Sequence, residues 1–331
     1  MNKLNIRYYL SGILVSMLGS QLFLIAMSIW LIQEYGSTLK LGVFLFLSTI
    51  TTVIISPFVG VLIDRFNPKK IMIISDCVSG LMMIFIAAMM GELIKTPFNI
   101  ELIFLCTFVS SCMSAAFTPS SLALVALITD KENIREINGR ASNLTEVSKL
   151  IGRSLAGVLL FVISAPFLIF LNGVSFLISA FFETKITLSE TSMPPKKVPS
   201  KYFKELTEGA KYLMSNHLAV GLFIGAAFTN FFMAINATFL PVIFKEILFL
   251  DLNWFGIVMS ATGAGALIGG FLARKLKTSL VKKIFPYVLI SQGLPFFFVP
   301  FCKLPVGIFI LMFIVGLGFV FVQVNMLTLI S

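Results

Sequence analysis

The sequence predicts an all-α polytopic membrane protein, and three observations lead there. The 331-residue chain is 58% hydrophobic and only 12% charged, with mean hydropathy +0.99; soluble domains carry about 25% charged residues. Its apolar residues collect in uncharged runs, and about 20 such residues in helix suffice to cross a bilayer core. Its 25 Lys and Arg, against 15 Asp and Glu, gather between those runs rather than along one basic face. The net charge of +10 therefore reads as membrane topology, not as nucleic-acid binding.

The first run covers residues 8–33. It follows Lys3 and Arg7 as the core of a signal peptide would, but it is far too long for one and is read as a retained span. Residues 41–63 make the second span and residues 71–91 the third, with Asp76 tolerated near its start. Residues 102–129 make the fourth. Residues 143–182 admit either one long interrupted helix or two short spans turning at Ser164-Ala165-Pro166. The later spans are 218–244, 253–273, 284–302 and 304–330. All should be helices, because lipid offers no other partner for their backbone polar groups.

Charge parity decides the ambiguous stretch. With two spans there, ten in all, one side holds the clusters at residues 3–7, 65–70, 131–140, 185–211 and 274–283, nineteen of the 25 Lys and Arg. The other side holds only Lys40, Lys95, Lys245 and Lys303, while Lys149 and Arg153 stay within a span. A single span would send the last two clusters to the opposite side. Both termini are accordingly expected in the cytoplasm.

The organisation that follows is a six-helix bundle over residues 1–183 and a linker over 184–216. A second, incomplete bundle of four helices covers 217–331. The linker opens with Pro194-Pro195, and from Ser200 its Tyr202, Phe203, Leu206, Ala210 and Leu213 alternate with Lys and Glu as in an interfacial amphipathic helix. "GVLIDRFNPKK" from Gly60 is echoed by "GFLARKLKTSLVKK" from Gly270, each ending the second span of its half, as in transporters built from parallel repeats.

Those residues carry a resemblance. "GVLIDRFNPKK" is similar to the signature turn after the second helix of the major facilitator superfamily. "AAFTPSSLALVALITD", "NGRASNLTEVSKLIGRSLAGVLL" and "FGIVMSATGAGALIGGFLARKL" resemble its bacterial efflux branch, which contains macrolide and siderophore exporters. The resemblance implies two bundles rocking about a midplane site. It also implies a conformational gate at Gly60, Asp64, Arg65, Lys69 and Lys70, in which Asp64 faces a helix N-terminus of the other bundle. The family has about twelve spans, so ten imply a C-terminally truncated member. Antiporters of this branch usually carry Gly-Pro in the fifth span, where this chain has Gly152-Arg153.

Within the spans, Glu146, Lys149 and Arg153 recur on one helical face, with Arg153 roughly 15 Å into the span. Two readings stand: a salt-bridged ladder with Arg153 snorkelling to water, or a proton or substrate path. Asp76 is read first as a partner of nearby cytoplasmic cations and second as a proton carrier. Gln21, Asn230, Asn236, Gln323 and Asn325 are candidate cavity polar groups, or equally interhelical glue.

Nothing in the sequence carries enzyme chemistry. There is no Walker A loop, the single His217 builds neither a triad nor a histidine metal site, and the four cysteines lack metal-ligand spacing. No cofactor or metal is expected. The expectation is a monomeric secondary transporter in the bacterial cytoplasmic membrane. It would export a small amphipathic compound, drug- or siderophore-like, by proton antiport. The alternative is a truncated, transport-inactive membrane protein.

Overall fold

The computed structural model describes residues 3–94, 97, 99–160, 162–188, 252–275, 297–302 and 304–330, with isolated positions between 214 and 293. Among the described residues every regular element is helical. Six helices form the first bundle: α1 (Lys3–Tyr35), α2 (Thr38–Arg65), α3 (Pro68–Met90), α4 (Asn99–Ile128), α5 (Ile134–Leu159) and α6 (Ala165–Thr184). Two long helices follow, α7 (Leu252–Lys275) and α8 (Pro305–Ile330). They coincide with the expected spans 253–273 and 304–330. The expected spans 218–244 and 284–302, and the amphipathic linker helix, fall largely or wholly outside the described residues.

The helices begin and end where the sequence supplies caps. Asn67 caps α3 by accepting from the Lys69 backbone N–H at 2.9 Å, with Pro68 in the first turn where its missing N–H costs nothing. Gly91 closes α3 by donating to the Ala87 carbonyl at 2.9 Å. The turn at residues 160–164 separates α5 from α6, and Pro166 starts the new helix. This is the two-span choice that charge parity demands. Inside α4, Pro119 removes one helical donor. Neighbouring hydroxyls bond back to the helix, Thr107 to the Ile103 carbonyl at 2.9 Å and Ser120 to that of Ala116 at 2.8 Å. Such polar groups can thus sit in an apolar span.

α1, α3, α4 and α6 are each long and apolar enough to cross a membrane. α2, α7 and α8 carry shorter apolar stretches, Leu39–Thr52, Ser260–Leu272 and Val306–Phe319. α5 meets neither description. Its first turns hold Glu136 and Arg140, an exposed i,i+4 ion pair at 2.6 Å. The helix therefore starts at Ile134, nine residues before the expected Asn143, because the backbone ladder continues past the apolar run.

α6 packs against both α1 and α3, α4 against α2 and α3, and α5 against α1 and α7, while α7 pairs with α8. Within a mostly apolar interior a set of small polar residues is buried, while large apolar side chains face outward. Ser75, Ser79, Ser110, Ser111, Ser120, Asn172, Ser175 and Ser179 are buried, whereas Ile74, Leu81, Leu105 and Phe181 are exposed. Small residues let the backbones meet, as they do between helices in lipid. A Cβ at Gly80 would stand 2.9 Å from the Gly173 carbonyl oxygen, and one at Gly173 would stand 2.7 Å from Ile84 Cγ1.

Candidate functional site

Two polar constellations lie inside the first bundle. The first joins α1 to α5. Gly152 lets α5 come close to α1, since a Cβ there would meet Gln21 Cβ at 2.8 Å and the Leu18 carbonyl oxygen at 3.1 Å. One residue on, Arg153 donates from Nε to Gln21 Oε1 at 2.8 Å. Gln21 is only 8% exposed. On the same face Lys149 pairs with Glu146 at 2.8 Å, and Glu146 also attracts the Arg153 charge electrostatically. The ladder thus exists, but the guanidinium is held by a side chain of another helix rather than only reaching outward.

Next to this pair α1 and α5 pack against the two later helices. Leu22, Ile25 and Ile29 of α1 and Ala156 of α5 are buried together with Val258 of α7, Ile308 and Met312 of α8, and Phe244 and Val299. This apolar plug occupies the stretch of α1 and α5 that runs from the Gln21–Arg153 contact toward Tyr35 and Leu159.

The second constellation joins α3, α6 and the start of α1. Lys69 Nζ donates to the Thr184 and Ile186 carbonyl oxygens, at 3.0 and 2.6 Å, where the C-terminus of α6 favours a cation. Asn5 holds the same exit, giving Nδ2–H to the Thr187 carbonyl at 2.7 Å and accepting its backbone N–H at 3.1 Å. Behind these anchors lie Asp76, 3% exposed, Ser179, 0%, and Glu183, 1%. The Asp76 carboxyl faces Ser179, yet Asp76 Oδ2, Ser179 Oγ and Glu183 Oε2 make no hydrogen bond of good geometry.

The other anticipated residues are distributed as follows. Gly60, Asp64 and Arg65 occupy the last turns of α2, but their side chains are outside the described residues. Lys70 is exposed. Gln323 lies on α8 with its side chain outside the described residues, as does Asn325, and Asn230 and Asn236 are outside them altogether. Among the described residues Asp76 makes no ion pair with a cation. It is buried a turn or more beyond Lys69, and what faces it is a hydroxyl and a second acid. Ser179 and Glu183 went unread as site residues. Their signal was there, since Asn172, Ser175, Ser179 and Glu183 repeat at spacings of three and four along one face of an otherwise apolar helix.

Residues 9–331 match the family model described as Major Facilitator Superfamily. The chain belongs to that superfamily. Among relatives of this major facilitator protein, the putative bacilysin exporter BacE of Bacillus subtilis is 26% identical over 278 residues, covering 82% of this chain and 66% of BacE. Macrolide efflux protein A of Streptococcus pyogenes is 25% identical over 278 residues, 82% of this chain and 67% of the relative. The staphyloferrin A transporter of Staphylococcus aureus is 22% identical over 277 residues, with the same coverage of 82% and 67%. The chain thus spans about two thirds of the length of these relatives. The solved nucleoside transporter NupG superposes with TM-score 0.67 at 15% identity, over 100% of this chain and 82% of NupG. An inward-facing bacterial homologue of the human lysosomal transporter Spinster superposes with TM-score 0.68 at 13% identity, over 99% and 75%. At such identities the likeness concerns the fold.

Proposed function

We propose that this major facilitator protein is a secondary active exporter of a small amphipathic compound, drug- or siderophore-like, driven by proton antiport with alternating access. The observation that carries the reading is the Arg153–Gln21 contact set beside the apolar plug. A half-buried guanidinium bridging two helices at mid-span is costly unless it faces polar surroundings or a ligand. A plug on one side of it is what a transporter closed on that side requires. The exporter relatives, macrolide and staphyloferrin transporters among them, support the direction and the substrate class.

In this reading residues 1–183 rock against residues 217–331 about the 184–216 linker, and the chain acts as a monomer in the bacterial cytoplasmic membrane. With both termini cytoplasmic, as the Lys and Arg partition supports, the plugged side is the outer one and the conformation is inward-open. Asp64 with its basic neighbours serves as the gate latch on the inner side. Arg153 holds the anionic or chelating part of the substrate, and its planar fork suits a carboxylate.

The test is efflux from bacterial cells stripped of their own exporters, using a panel of dyes, macrolides and siderophores with and without an uncoupler. The proposal expects uncoupler-sensitive efflux of at least one panel member. Absence of efflux, or efflux indifferent to the uncoupler, overturns it.

A further inference from the structure

The second constellation holds two carboxyl groups deep between helices. Register shows how they meet. α3 and α6 run antiparallel, with Gly80 against Gly173 and Lys69 against Thr184 and Ile186. Between those two fixed points the register sets Asp76 opposite Ser179, which faces it. Glu183 follows Ser179 by four residues, about 6 Å along the same face. The two carboxyls feel each other's charge. Gly12 of α1 closes the third side, where a Cβ would stand 3.1 Å from Ser179 Oγ.

Among the described residues the surroundings hold one cation, Lys69, for two acids. From α1 the titratable neighbour is Tyr9, which acts on Glu183 electrostatically and is itself engaged with Ser121 Oγ of α4 at 2.7 Å. From α3 they are Cys77, which feels both acids, and Lys69, which acts on Glu183 but spends its hydrogen bonds on carbonyl oxygens. The α2 side chains Asp64 and Arg65 are outside the described residues. Two like charges in a dry site this close disfavour double ionisation, and an unpaired buried charge is expensive. One oxygen of each acid and the Ser179 hydroxyl are left without a partner. These atoms can carry a proton: a protonated carboxyl becomes a donor, and the hydroxyl both donates and accepts.

We propose that Asp76 and Glu183, bridged by Ser179, form a buried proton-binding site that takes up and releases one proton and supplies the coupling step of transport. Glu183 lies beside the Lys69 anchor at the end of the bundle, and Asp76 one turn deeper. A proton passes between them by way of the Ser179 hydroxyl. Uptake converts one carboxylate to a carboxylic acid and makes the site less negative by one charge. Release reverses this, and no other bond is made or broken. The coupling role rests on the antiport reading above; proton binding itself does not.

The experiment has two arms, both on the purified full chain. In lipid nanodiscs, infrared difference spectra across neutral pH follow the protonated-carboxyl stretch. A titrating band is expected, altered in Asp76→Asn and in Glu183→Gln and lost in the double variant. A band that does not titrate, or that survives in the double variant, overturns the site. If the neutral variants fail to fold, Asp76→Glu and Glu183→Asp should keep the band with a displaced midpoint, and an unmoved midpoint overturns the site. In vesicles, a radiolabelled carboxylate siderophore is accumulated against an imposed pH gradient and separately exchanged at equilibrium. The neutral variants should lose accumulation and keep exchange, and full gradient-driven accumulation in them refutes the coupling role. Wild-type protein that moves no siderophore by either route counts against the transporter reading, while the infrared arm still decides the proton site.

Discussion

Arg153 of α5 donates from Nε to Oε1 of Gln21 on α1 at 2.8 Å, joining residues 132 positions apart in the chain. A hydrogen bond involving an ion contributes about 1.5–3 kcal/mol. It also sets the angle at which the guanidinium is presented. Arg153→Leu is predicted to reduce export on the order of tenfold or more, with membrane yield close to wild type. Arg153→Lys should restore little, because an ammonium cannot reproduce the fork geometry. Efflux rates normalised to membrane protein check this, and full activity in Arg153→Leu would remove the residue from the substrate path.

Lys69 ties α3 to the end of α6 through the Thr184 and Ile186 carbonyl oxygens. Lys69→Met keeps the length of the side chain but removes both donated bonds. Amide hydrogen exchange over residues 184–188 is predicted to quicken by roughly tenfold per 1.4 kcal/mol lost. Exchange in the middle of α6 should stay unchanged. Asn5→Ala should act on the same segment, since Asn5 holds Thr187. Protection unaltered in both variants would show that the exit of α6 is held by packing alone.

What the sequence displayed and what it hid follow from physics. The spans were legible because lipid imposes a minimum apolar length and forbids unpaired backbone. The turn at residues 160–164 was legible because Lys and Arg must partition across the membrane. The start of α5 was not, since a helix propagates through Arg135, Glu136 and Arg140 as readily as through apolar residues once its backbone ladder is running. Glu183 reads as the closing residue of the first bundle, at the edge of the linker, and only the antiparallel register of α3 and α6 brings it toward Asp76. The Gln21–Arg153 bond is tertiary, and no local pattern announces it. Gly80 and Gly173 likewise could be seen as small residues, but not as each other's neighbours.

Topology gives a separate prediction. Reporter fusions placed in the 91–98 loop and after Lys275 are expected on opposite sides, the first external and the second cytoplasmic. Odd and even numbers of spans precede the two sites, and the second is flanked by five cations, Arg274 to Lys283, against the single Lys95 of the first. Signals from the same side would break the ten-span count on which the charge partition rests.

The closest test of the packing is at Gly173. Its backbone meets α3 so tightly that a Cβ would lie 2.7 Å from Ile84 Cγ1, 2.9 Å from the Gly80 carbonyl oxygen and 3.1 Å from the Ile84 backbone nitrogen. Two of those atoms are backbone and cannot turn aside, so Gly173→Ala must push α6 off α3. Overpacking of this kind costs about 1–3 kcal/mol, which offsets or exceeds the about 1 kcal/mol that alanine returns through helix propensity at an unobstructed site. Gly42→Ala on α2 is the control, because nothing lies within 4 Å of a Cβ there. Thermal unfolding of the detergent-solubilised protein should show Gly173→Ala melting several degrees below wild type and Gly42→Ala at or above it. The displacement also widens the Asp76–Ser179–Glu183 site, which hangs on the same register, so the infrared carboxyl band should shift in Gly173→Ala and stay put in Gly42→Ala. Equal melting of the two variants would mean that α3 and α6 are farther apart than the Gly80–Gly173 contact places them.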